Sequence, residues 1–131
     1  IEHSEAQAKK RAMVDLIIAQ KTDPNFIRDS KIVRSLKERD IDFLEFAAKD
    51  SPERDAVLSV LNQIEFIAVG IRLGAFDESV YKELSCNSVI KTWDSACSFV
   101  TALRDQTGIQ TLFQDLEKLV NRWKDDPIKP I

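Results

Sequence analysis

Pro52-Glu53-Arg54-Asp55-Ala56-Val57-Leu58-Ser59-Val60-Leu61-Asn62-Gln63-Ile64-Glu65-Phe66-Ile67-Ala68-Val69-Gly70-Ile71-Arg72-Leu73, closed by Gly74, is the stretch that decides the fold class. Ser51-Pro52-Glu53 reads as a helix start: Ser at the cap, Pro at the first helical position, an acid in the first turn. No breaker follows until Gly74, and Gly70 is tolerated inside at some cost. At about 100° per residue, Val57, Leu58, Leu61, Ile64, Ile67, Ala68, Val69 and Ile71 cover more than half the circumference. A helix that apolar packs on several sides. The expectation is an all-α bundle of six or seven helices around this one long central helix, about residues 52–73.

Two charges lie inside the apolar arc rather than at its edge. Glu65 projects between Leu61 and Leu58, and Arg72 projects almost onto Leu61. On a later stripe Arg104 projects between Trp93 and Cys97. Removing water from a charge costs several kcal/mol unless a partner replaces it. Glu65 is therefore expected to accept hydrogen bonds from Arg104, or failing that from Arg72. The second lies seven residues on, a rise of about 10 Å along the same helix. Three readings stay open: an internal ion pair that fixes helix register, a polar pocket for an anionic ligand, or plain solvent exposure. With Asn62 and Trp93 these residues form the candidate internal polar cluster.

Working outward, the helical period continues in both directions. Ser4 with Gln7 has the pattern of a capping box and opens a helix to about Lys21, with Ala6, Met13, Leu16 and Ile17 as its stripe, widened by Val14 and Ile18. Asp23-Pro24 starts a second helix, which places Phe26, Ile27, Val33 and Leu36 on one side. A short third runs Asp42 to Lys49 with Phe43, Leu44, Phe46 and Ala47. Beyond Gly74, Asp77 caps a short helix to Leu84, and Asn87 or Ser88 caps another bearing Val89, Ile90, Trp93, Ala96, Cys97, Val100 and Leu103. After Gly108, Ile109, Leu112, Leu116, Leu119, Val120 and Trp123 form a one-sided amphipathic helix. The helical domain is expected over 1–124, with a Pro-containing tail at 125–131.

Composition excludes more functions than it supports. The 131 residues hold 3 Gly and 1 His, too few for a glycine-rich phosphate loop or most metal sites. There is no Gly-x-Ser-x-Gly elbow, and no Ser or Cys nucleophile has a histidine base beyond His3. The Arg-x4-6-His pair of small helical ribonucleases and the Glu-x-x-His of di-iron bundles are both missing. A carboxylate-only Mg²⁺ site from Asp77, Glu78 and Glu83 stays formally open, although each has a capping or surface explanation. No cofactor and no metal is expected. A net charge of −3 argues against nucleic acid as a partner. Cys86 and Cys97, with ten residues between them, match no metal or redox spacing and are expected as two reduced thiols.

No stretch reaches the roughly 18 apolar residues of a membrane span. Lys9-Lys10-Arg11 is a basic triplet near the start of the first helix. It reads as a solvated helix face, or as the cytoplasmic flank of a membrane anchor lying before Ile1.

The run Leu61-Asn62-Gln63-Ile64-Glu65-Phe66-Ile67-Ala68-Val69-Gly70-Ile71, then Gly74-Ala75-Phe76-Asp77, resembles the central signature of an uncharacterised bacterial and phage family, domain of unknown function 4760. Trp93 with Arg104 resembles its second block, and Lys10 to Asp15 its opening. The resemblance implies relatives in phages, prophages and mobile elements, many with one hydrophobic segment before this domain, and no established activity. Asn62, Glu65, Trp93 and Arg104 are the family-like positions, with no catalytic role to transfer. The expected function is a non-enzymatic interaction or regulatory domain with a protein partner, the cytosolic part of a membrane-anchored protein, in phage–host conflict or superinfection control. The alternative is a small-ligand sensor or enzyme using Glu65, Arg72 and Arg104. No motif in this chain specifies the identity of the partner or the oligomeric state.

Overall fold

The computed structural model describes residues 2–131, with side chains from His3 onward. Among these residues there are six α-helices and no strand: α1 Glu2–Thr22, α2 Pro24–Ser35, α3 Phe43–Ala48, α4 Pro52–Arg72, α5 Glu78–Thr107 and α6 Gln114–Asp125. A single 3-10 turn, Leu36–Glu38, follows α2.

Local chemistry sets most of the starts. Asp23, Asp42, Ser51 and Asp77 sit in extended backbone, and each accepts a hydrogen bond from an N–H of the turn it opens. These caps satisfy donors that would otherwise have no partner. α4 ends in a Schellman motif: Gly74 adopts φ 82°, its N–H reaches the Ile71 carbonyl at 3.1 Å, and the Ala75 N–H reaches the Gly70 carbonyl at 2.8 Å. That reversal lays the Phe76 ring directly over Gly70, where a Cβ would enter the ring. Gly70 is thus the small residue that allows the chain to fold back onto α4.

Packing follows the apolar stripes. α2 lies on α4, α3 on α5, and α6 on both α4 and α5, while α1 rests on α5 and α2. The shared core draws Met13 and Ile17 from α1, Leu61, Ile64 and Ile67 from α4, and Leu116, Leu119 and Trp123 from α6. Phe46 of α3 meets Phe99 of α5 edge to face at 5.5 Å, an arrangement worth about 1 kcal/mol beyond area burial. Cys86 and Cys97 are free thiols.

Several expectations need correction. α4 matches its expected limits, but the longest helix is α5, 30 residues against 21. Asp77 caps it as expected, yet there is no break near Leu84 and no new cap at Asn87 or Ser88. Tyr81, Cys86, Val89, Trp93, Ala96 and Val100 keep one continuous buried stripe across that stretch, and tertiary packing overrides the local preference of Ser and Asn for caps. Glu2 is already helical, so Ser4 lies inside α1 rather than at its cap. α6 begins only at Gln114; Ile109 is exposed in the preceding connection. Residues 126–131 carry no regular structure.

Candidate functional site

The three charges that interrupt the apolar arcs all end at the start of α6. That helix has no side-chain cap of its own. Its N-cap position is Phe113, held in the left-handed region at φ 58°, ψ 27° with its ring buried. For a non-glycine residue this backbone costs about 1–2 kcal/mol, offset by ring burial. The first-turn N–H groups of α6 therefore look outward for acceptors. Glu65 of α4 supplies one: its Oε1 accepts from the Leu116 N–H at 2.7 Å. A carboxylate from a different helix does the work of a Ser or Asp cap, and the positive end of the helix favours its charge.

The arginines flank this contact. Arg72 Nε donates to Asp115 Oδ1 at 2.7 Å and its Nη2 to Oδ2 at 3.4 Å. Asp115 is buried, whereas Arg72 is more than half exposed. Arg104, in the last turn of α5, donates through Nε and Nη2 to the Leu112 carbonyl at 3.0 and 2.7 Å, and through Nη2 to Glu117 at 3.0 Å. The expected hydrogen bond from Arg104 or Arg72 to Glu65 is thus replaced. Backbone donors of α6 take the Glu65 carboxylate, and each arginine has an α6 carboxylate of its own.

Desolvation in this seam pushes the Glu65 carboxyl above its ordinary value. The Leu116 N–H opposes that rise, the Asp115 charge reinforces it, and the Arg72 charge opposes it weakly. Arg72 also lines a cavity of about 290 Å³ with Glu78, Asp115, Lys118 and Arg122; Glu65 and Arg104 are not among its lining residues. The three charges meet on one helix start but do not face one cavity.

The remaining candidates scatter. Trp93 is buried in the core. Asn62 is exposed and lines a separate groove of about 370 Å³ between α1 and α4, together with Leu16, Ala19, Asp23, Phe66 and Ile67. Phe66 is 62% exposed beside it, and Leu73, the cap residue just past the end of α4, is 69% exposed. Lys9, Lys10 and Arg11 are exposed on α1. Lys9 Nζ stands over Gly74, 3.7 Å from the point a Cβ would occupy, so the triplet sits beside the end of α4. Asp77 is committed to capping α5, and Glu78 accepts from Arg122 at 2.8 Å and from the Trp123 indole at 3.1 Å. Among the described residues no three His, Cys, Asp or Glu side chains cluster as metal ligands would, and no helix is long and apolar enough to cross a membrane.

A family model described as Domain of unknown function (DUF4760) matches residues 1–123. The chain belongs to that family. The match spans all six helices of this DUF4760 domain up to Trp123, near the end of α6. No curated protein and no solved structure matches the chain.

Sequence reasoning missed the partners that make the DUF4760 domain's charged seam: Asp115, Glu117 and the Leu112 carbonyl. A signal was present, since Asp115 and Glu117 are acids in the first turn of an amphipathic helix, where two arginines and a helix dipole favour them. The left-handed Phe113 had no such signal.

Proposed function

We propose that this domain is a non-enzymatic, partner-binding module, whose ligand is an amphipathic helix of a protein seated in the groove between α1 and α4. The observation that carries this reading is the exposed apolar rim of the groove. Phe66 lines it and is largely exposed, and Leu73, at the cap of α4, stands exposed on the same side of that helix two turns on. Helix-in-groove recognition needs such anchors at helical spacing. Charge gives the ligand a direction: Lys9, Lys10 and Arg11 lie toward the end of α4, and Asp23 lies at the other end. A partner helix with acids at one end and a base at the other fits that polarity.

In this reading the domain is the cytosolic part of a membrane-tethered bacterial or phage protein, acting in phage–host conflict or superinfection control. The tether and the setting rest on the family resemblance and on the basic triplet beside the N-terminus. The alternative, a ligand sensor or enzyme built on Glu65, Arg72 and Arg104, gains no support from their placement, because each is bonded to the start of α6.

The test is site-specific photo-cross-linking in the native host, with the reactive side chain at position 66 and, as control, at Ile109, exposed in the connection before α6. One protein partner captured from position 66 alone, and lost on Asn62→Arg, is the expected result. Equal capture from both positions overturns the groove as the docking face.

A further inference from the structure

Beneath α1 lies a second, more enclosed cavity of about 110 Å³, closed by α2, α4 and α5. Its apolar walls include Ile17, Phe26, Ile64 and Val89, and its hydroxyl-bearing lining residues are Ser30, Tyr81, Ser85, Ser88 and Thr92. Several helical hydroxyls return to a carbonyl one turn back, as Thr22, Ser35, Thr92, Ser95, Thr101 and Thr107 do. The Ser30 and Tyr81 side chains make no hydrogen bond among the described residues, although they are only 7% and 1% exposed.

Every wholly buried side-chain nitrogen or oxygen among the described residues has a partner. The unpartnered Tyr81 hydroxyl is therefore not wholly closed off, and Tyr81 lines the cavity. A phenol so buried is uncommon without a partner, because an unmet O–H in a dry interior is costly. The phenol is also held in its neutral, donating form, since burial pushes its pKa up.

The lining has one ionised side chain. Lys21 is exposed at the mouth, where its Nζ donates to the Leu84 carbonyl at 3.3 Å. No carboxylate lines the cavity. The combination of apolar walls, a few hydroxyl-bearing residues and one cation at the entrance is that of a small-molecule site. Its size admits only a handful of heavy atoms, although it exceeds several times the room a single water needs.

We propose that this cavity binds a small hydroxycarboxylate, with the carboxylate beside Lys21 and the hydroxyl groups on Tyr81 and Ser30. Binding is a property of the folded domain alone and requires no protein partner.

Amide-resolved NMR titration with glycerate, and with glycerol and acetate as comparison probes, tests it. Saturable shifts are expected at Ser30, Tyr81, Ser85 and Thr92, with glycerate the tightest of the three. Tyr81→Phe keeps the ring, removes the hydroxyl and weakens glycerate binding about tenfold. Lys21→Gln lowers glycerate affinity to that of glycerol. Should Tyr81→Phe not fold, Ser30→Ala serves as the second deep variant, with the same loss expected. The proposal is overturned if no probe gives a saturable shift at these amides, which leaves ordered water as the only occupant, or if the variants bind glycerate as the parent chain does.

Discussion

Glu65 carries a charge into a half-buried seam, and its titration is therefore linked to folding. Desolvation raises its pKa in the folded state above the ordinary 4.5. The folded chain then holds the proton more tightly than the unfolded chain, so this group's contribution is fully present below 4.5 and is lost as pH rises through the raised value. Asp77 has the opposite sign. The Ser79 hydroxyl and the Val80 N–H hold its carboxyl below the ordinary 3.8, and its contribution is lost as pH falls through the depressed value. In urea unfolding followed across pH, Glu65→Gln should flatten the fall in stability that the parent chain shows above 4.5 and leave the acid limb set by Asp77 unchanged. An unaltered slope above that pH assigns the effect to another group. Glu65→Ala removes the acceptor altogether and should cost about 1–2 kcal/mol, the usual loss of a helix cap.

Helix starts were legible where the cap is local. Asp23-Pro24, Asp42, Ser51-Pro52 and Asp77 each carry the acceptor and the donors within one turn of chain, and each opens a helix in the structure. The start of α6 was not legible, because its acceptor, Glu65, is 51 residues away from the amide it holds. Nor was the continuity of α5, where Ser85, Asn87 and Ser88 have the chemistry of caps but are held in mid-helix by the buried residues on either side. This makes Asn87→Ala a test of sign. Asn87 is exposed in a helix interior, so the exchange should stabilise by about 0.5 kcal/mol; were Asn87 a cap, it would destabilise by about 1 kcal/mol. At the other end of the Gly74 turn, Gly70→Ala places a methyl in the Phe76 ring and should cost about 1–3 kcal/mol through overpacking. Pairing it with Phe76→Ala in a double-mutant cycle should recover most of that loss; strict additivity would mean the ring is not the obstacle.

Across the whole molecule, composition and periodicity made the all-α bundle readable, because nearly every apolar residue recurs at helical spacing. The candidate site was readable only as an anomaly. Glu65, Arg72 and Arg104 stood out as charges on apolar arcs, but what they bind belongs to α6, and no spacing rule spans α4, α5 and α6 together. The cavity under α1 left still less trace, since it depends on which hydroxyls fail to find a carbonyl.

The borrowed start of α6 also has a kinetic meaning. A helix with no cap of its own, begun by a left-handed Phe113, has little reason to form alone, and twelve residues are too few to be stable in isolation. It gains its first turn only after α4 is in place to offer Glu65, and Arg104 can gather the connection only after α5 has formed. α6 is thereby assigned to the last stage of assembly and the first of disassembly. In native-state hydrogen exchange its amides should open by a sub-global event of lower free energy than those of α4 and α5, and Glu65→Ala, which removes the acceptor, should lower that opening energy in α6 alone. Equal protection of all three helices would show instead that the bundle opens as one unit.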